Sequence, residues 1–149
     1  MKMYTLMSDI FTLNFNLTLS QVLHGDVVQK YLPSAVKFTY NWNMRELSNI
    51  FQGLCLARAE FYPSPEKFVR LWTHECLRVF QDRMFTETDI ERFSGLLEEQ
   101  AKRSFKELDQ DELAALPNIF TQFATRTGGE PAYLPIKGMD ELNKVRVNI

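Results

Sequence analysis

The chain has 149 residues, 45% hydrophobic and 24% charged. That is enough to bury one core and too few for two ordinary domains. With 17 basic and 19 acidic residues the net charge is -2, which gives no electrostatic case for nucleic acid or an anionic membrane as partner. Twelve phenylalanines point to a Phe-rich core or a large contact surface.

The longest uncharged run, Ile10 to Gly25, is interrupted by Asn, Thr and Gln and is too short to span a bilayer. The first residues lack the basic-then-apolar order of a signal peptide, so a cytoplasmic protein is expected. Within the N-terminal stretch Phe11, Leu13, Phe15, Leu17 and Leu19 alternate with polar residues, which predicts a strand. Ser20 or Asp26 is the candidate cap of a short helix running to Tyr31, and Pro33 interrupts it. Val36, Phe38 and Tyr40 alternate in an extended stretch or a helix end.

Asn43 followed three residues later by Glu46 is a capping-box pair. Leu47, Ile50, Phe51 and Leu54 then recur at helical spacing, predicting a helix from Met44 to about Ala59. Ser64-Pro65-Glu66 starts the next helix with a capping serine, proline at the first position and an acid. Its inner face is Phe68, Leu71, Trp72, Cys76, Val79 and Phe80. Arg70, Glu75, Arg78 and Asp82 fall on the other faces, and the helix ends near Met84. Cys55 and Cys76 lie on the apolar stripes of these two helices and are expected to be buried free thiols.

Thr86 to Asp89 opens a further helix whose stripe is Ile90, Phe93, Leu97, Ala101 and Phe105. Leu113 to Leu116 reads as a short helix closed by Pro117. Gly128-Gly129-Glu130-Pro131 is the clearest turn in the chain and marks a linker. Beyond it Tyr133 to Ile136 is extended, and Met139 to Val147 has the pattern of an amphipathic helix. The fold class is therefore mainly α: a small helical bundle with short extended segments near the C-terminus.

Several chemistries are missing. The six glycines precede Asp26, Leu54, Leu96, Gly129, Glu130 and Met139, never a lysine, so no phosphate-binding loop of the Walker type is present. His74-Glu75 matches the start of a zinc-protease helix, but position 78 is Arg78 and not the second histidine. Two cysteines with His24 and His74 fit no zinc spacing, so no metal is expected. His74 and Cys76 are two apart and point to different helix faces, which argues against a cysteine nucleophile. Arg70, Arg78 and Arg83 read as surface salt-bridge partners.

Arg45 differs from these. It sits in the first turn of its helix, where a cation meets the positive end of the helix dipole at a cost of about a few tenths of a kcal/mol. Two readings stand side by side: a surface residue compensated by Glu46, or a contact to a bound anion such as phosphate.

Tyr31-Leu32-Pro33-Ser34-Ala35-Val36-Lys37-Phe38, the run Asn43 to Gly53, the helix Leu71 to Met84, Pro117 to Phe120 and Gly129 to Ile136 together resemble dynein heavy chains of the axonemal kind. The matches keep their order over about three quarters of the chain. Met44 stands for a leucine of the family pattern and Glu46 for an aspartate, changes that keep the cap chemistry; residues 1–25 do not follow the pattern.

The resemblance implies a helical AAA+ lid: a divergent segment over 1–25, the lid over 26–127, then a linker and the start of the next module over 128–149. The lid would belong to the third module of the motor ring. Arg45 would be the sensor-2 arginine that reaches the nucleotide phosphates only in an assembled module. The implied cofactor is ATP or ADP in the intact module, with none bound by this chain alone. The implied partners are the remainder of the ring and, through the parent motor, microtubules of the ciliary or flagellar axoneme. The alternative is a free-standing helical interaction domain with no motor role.

Overall fold

The computed structural model describes residues 18–62, 64–106, 111, 117–122, 132–140 and 143. It is a helical bundle with a small antiparallel ribbon, as the periodicities imply. The short helix expected at 113–116, the turn at 128–131 and most of the helix expected at 139–147 lie outside the described residues.

The first helix, α1, is described over 18–30. Leu19, Leu23 and Val27 are buried at intervals of four and continue into buried Tyr31, so one helical face enters the core. This corrects the strand expectation at its C-terminal end, because Thr18 and Leu19 are helical. The four-residue apolar series prevails over the alternating one, whose members at 11–17 lie outside the described residues. Ser20 and Asp26 sit inside α1 and cap nothing. Ser20 is buried, and its hydroxyl accepts the indole N–H of Trp72 at 2.8 Å.

Residues 31–43 form an irregular strap across the bundle. α2 follows over Met44–Cys55, with Leu47, Ile50, Gly53 and Leu54 turned inward. It stops short of Ala59 because its last turn tightens: the amides of Leu56 and Ala57 bond the carbonyls of Gly53 and Leu54, three residues back. A separate 3-10 turn then spans Ala59–Phe61. Cys55 is exposed while Cys76 is buried. Cys55 follows the buried Leu54 by one position, about 100° around the helix, and so leaves the apolar stripe.

α3, over Pro65–Phe80, is the central helix. Val69, Leu71, Trp72, Glu75, Cys76, Val79 and Phe80 are all buried, which requires neighbours on more than one side. Pro65 occupies the first turn as expected, and Ser64 has the extended backbone of an N-cap residue. Its side chain makes no capping bond; its Oγ is buried with no partner among the described residues. Phe68 is half-buried, packed edge-on to Tyr62.

A 3-10 turn, Gln81–Arg83, leads to α4 over Glu87–Ser104. Phe93 and Leu97 are its buried apolar positions; Ile90, Ala101 and Phe105 pack half-buried beside them. Aromatic rings run through the core in series. Tyr40 meets Trp42 at 5.7 Å, Trp42 meets Phe80 at 5.6 Å, Phe80 meets Phe93 at 5.7 Å, and Phe93 meets Tyr31 at 6.4 Å. The strap is thus held to α3 and α4 by tilted and edge-on rings.

The ribbon pairs β1, Phe120–Thr121, with β2, Leu134–Pro135, in antiparallel register, Phe120 opposite Pro135. It lies against α3: the ring of His74 is 5.5 Å from Phe120 and 6.2 Å from Tyr133.

Glu75 is the largest departure from the sequence expectation. The helical periodicity places it on an outer face, yet it is 1% exposed. Its carboxylate accepts Arg78 Nε at 2.9 Å and the Tyr133 hydroxyl at 2.5 Å. A buried carboxylate so partnered is tolerated. It lies directly over Gly53 of α2: a Cβ at position 53 would stand 2.0 Å from Glu75 Oε2.

Two stability measurements follow from this packing. Trp72→Ala removes a fully buried ring and an indole hydrogen bond. It is expected to destabilise by about 3–5 kcal/mol, read as a large drop in the urea midpoint. Gly53→Ala improves helix propensity by about 1 kcal/mol. It is nonetheless expected to destabilise by a net 1–3 kcal/mol or so, because the added methyl displaces a buried carboxylate from its partners. A midpoint equal to or above wild type would show that Glu75 yields freely.

Candidate functional site

The site singled out by the sequence is the N-terminal turn of α2. Asn43 has the extended backbone of an N-cap, and its side-chain Oδ1 accepts the Arg45 amide at 2.9 Å. Reciprocally, Glu46 Oε2 accepts the Asn43 amide at 2.7 Å. The capping box read from the sequence is therefore formed. His24 of α1 adds a bond to the same turn, its Nε2 donating to the Asn43 carbonyl at 3.0 Å.

Arg45 itself is exposed. Glu46, its candidate compensating anion, is buried and turned the other way: its second oxygen is held by Arg83 from the turn after α3. Among the described residues the Arg45 guanidinium has no hydrogen bond or ion pair. Of the two readings of Arg45, compensation by Glu46 is thus not what the geometry provides.

Arg83 is the residue that sequence reasoning undervalued. It forms the expected salt bridge, and it does more. Nη2 donates to the carbonyls of Thr39 at 2.8 Å and Asn41 at 3.1 Å. The guanidinium carbon lies 4.9 Å from the Trp42 ring centroid, within cation–π range. Thr39 Oγ1 donates back to the Arg83 carbonyl at 3.2 Å. One side chain so fastens the strap to the end of α3 and neutralises the capping glutamate. The available signal was the Asp82-Arg83 pair just past the helix end, which by itself reads as surface.

A second ion pair holds the middle of the strap. Lys37 donates to buried Asp89 of α4, and the Tyr40 hydroxyl donates to the same carboxylate at 2.9 Å. The Lys37 bond, helped by Tyr40, holds the Asp89 pKa below its ordinary value against the opposing effect of burial. For Glu46 burial pushes upward, but the amides of Asn43 and Glu46 and the Arg83 guanidinium outweigh it, so its pKa is also lowered. On the opposite side of α3, burial lowers the His74 pKa despite nearby Glu75 and the bond from its Nδ1 to the Asn118 carbonyl. Burial pushes the Cys76 thiol well up, which leaves it a poor nucleophile. Among the described residues no group of three or more His, Cys, Asp and Glu side chains is arranged to hold a metal, and no helix is long and apolar enough to cross a membrane.

The AAA+ lid domain family aligns with residues 16–115 of this helical bundle, and the chain belongs to it. Its relatives are axonemal dynein heavy chains. The chain is 47% identical over 84% of its length to the ciliary dynein beta chain of Heliocidaris crassispina. It is 42% identical over 85% of its length to human dynein axonemal heavy chain 17. It is 41% identical over 82% of its length to the flagellar outer arm dynein beta chain of Chlamydomonas reinhardtii. The chain spans about 3% of the length of each of these relatives.

The pKa directions give a pH dependence with a definite sign. His74, Asp89 and Glu46 have lower pKa values folded than unfolded, so the unfolded chain binds more protons on acidification and stability falls as pH falls. The His74 contribution is complete above its ordinary value of 6.5 and is lost as pH falls through its lower folded value. The Asp89 and Glu46 contributions are complete above their ordinary values of 3.8 and 4.5 and are lost at more acid pH. Urea unfolding as a function of pH is expected to show both stages. His74→Gln should flatten the first and leave the second; an unchanged first stage would assign it elsewhere.

Proposed function

We propose that this chain acts as the lid subdomain of the third AAA+ module in an axonemal dynein heavy chain, with its C-terminal segment leading into the fourth. The parent motor would be ATP-driven and would move along microtubules of the axoneme. The chain alone would hydrolyse nothing, since its sequence has no Walker loop to hold phosphates; the nucleotide would be held by the large subdomain of the module. Arg45 would be the residue the lid offers to that nucleotide.

The observation that carries this reading is the charge arrangement at the start of α2. Arg45 is exposed at the positive end of a helix dipole, while the adjacent glutamate is committed to Arg83. A cation kept there without a partner among the described residues is suited to an anion from outside the chain. The apolar surface supports the same reading. Val36 is 72% exposed and Phe38 77% exposed on the strap, with Leu32 and Phe85 also outward. A cluster of this kind marks a face that another protein body covers, as the rest of a ring would.

The experiment pairs two measurements on Arg45→Ala. In the isolated chain the change is expected to be neutral or stabilising by about a few tenths of a kcal/mol, because it removes an unfavourable charge–dipole contact. The isolated wild-type chain should bind ATP more weakly than about millimolar, since one charge-assisted contact contributes about 1.5–3 kcal/mol. In the assembled motor the same substitution should weaken nucleotide binding at the third module about tenfold or more. A large loss of stability with unchanged nucleotide affinity would make Arg45 a structural residue and overturn the proposal.

A further inference from the structure

Arg83 touches three things at once: the Glu46 carboxylate, the carbonyls of Thr39 and Asn41, and the face of Trp42. Glu46 in turn accepts the Asn43 amide, and Asn43 accepts the Arg45 amide. A continuous chain of bonds thus runs from the end of α3 to the backbone of Arg45. The charges matter as much as the bonds. Glu46 is only 6% exposed and shares the first turn of α2 with Arg45. Without Arg83 its negative charge would be buried, unpaired and next to the place where an anion is to arrive.

From this we infer that Arg83 is a positioning residue for anion recognition by Arg45: it neutralises Glu46 and fixes the cap, and so controls nucleotide affinity without touching the phosphate. The inference rests on the proposed role of Arg45. It assigns to a residue 38 positions downstream, on another element, a share in the same site.

The charge argument separates this role from simple bracing. Removing Arg83 leaves Glu46 to repel the anion; removing the Glu46 charge as well should relieve that repulsion even though the strap bonds stay lost. Bracing alone predicts no such relief.

The test measures ADP affinity at the third module of the assembled motor in Arg45→Ala, Arg83→Met, Arg83→Lys and the double variant Glu46→Gln/Arg83→Met. Arg83→Met is expected to weaken ADP binding about tenfold, the size of one lost charge-assisted contact. The double variant should recover most of that loss. Arg83→Lys keeps the cation beside Glu46 and should stay within about threefold of wild type. Arg83→Met without effect, a double variant no better than Arg83→Met, or Arg83→Lys as damaging as Arg83→Met would each overturn the inference. Should Arg83→Met fail to fold, the other two variants are read against wild type: both within about threefold is the expected result, and a loss of about tenfold in either overturns the inference. If Arg45→Ala leaves ADP affinity unchanged, the proposed role of Arg45 itself fails, a result distinct from failure at Arg83 alone. Amide exchange on the 149-residue chain supplies an independent readout. In Arg83→Met, protection of the Asn43 and Arg45 amides should fall while that of α3 holds; retained protection at both would also overturn the inference.

Discussion

The architecture depends on the contact between Gly53 and Glu75. Two helices can approach this closely only where one of them lacks a side chain, and the space above Gly53 is filled by a carboxylate, not by another apolar group. A buried carboxylate is destabilising unless each oxygen has a partner. Here one oxygen accepts Arg78 and the other accepts Tyr133. Arg78 also reaches the Asn49 carbonyl of α2, a longer contact at 3.4 Å, and Tyr133 belongs to the extended segment entering β2. The need to satisfy one buried charge therefore sets the distance of α2 from α3 and docks the C-terminal ribbon onto both.

The ribbon would not hold by itself. Two strands of two residues supply few hydrogen bonds, and Pro135 can donate none. Its fixed points are side chains and one added backbone bond. The Tyr62 hydroxyl donates to the Tyr133 carbonyl at 2.6 Å, the Ile136 amide bonds the Ile119 carbonyl at 3.0 Å, and the rings of Tyr62 and Phe120 stack at 6.4 Å. Burial makes both tyrosine hydroxyls harder to ionise, with Glu75 adding to the effect, so they remain donors throughout the ordinary pH range. The segment following the bundle is thus seated on its central helix by polar bonds with fixed geometry, which a purely apolar contact would not provide.

What was legible in the sequence was whatever is encoded locally. The capping box at Asn43 and Glu46, the proline at the start of α3 and the stripes of α2, α3 and α4 are relations between residues within about two turns of one another. The misreadings fall where a distant partner decides. Glu75 looks like a surface acid until Tyr133, 58 residues away, is brought beside it. Ser20 looks like a cap until the Trp72 indole reaches its hydroxyl. Cys55 shows the limit of a stripe argument at a helix end, where one position decides between core and solvent. The alternation at Phe11 to Leu19 failed at its end because a competing four-residue series, Leu19 to Tyr31, had a core to enter.

The two arginines at the start of α2 show why placing a charge and assigning it a task are separate problems. Both lie near the same helix end and the same glutamate. Arg83 approaches from outside the helix, so its charge opposes Glu46 directly and its remaining donors meet backbone carbonyls; it serves the fold. Arg45 lies on the helix itself, adjacent in sequence to Glu46, and neighbouring helix positions project about 100° apart. It cannot displace Arg83 from the carboxylate without unwinding the turn that carries it. The geometry of the helix therefore divides the labour: the glutamate is satisfied from the side of the bundle, and the cation on the outer side stays exposed. If position 45 recognises an anion as proposed, a carboxylate at position 46 would be compatible with it only because a third residue neutralises it, and a fold contact and a recognition contact would then be interdependent within a single turn of helix.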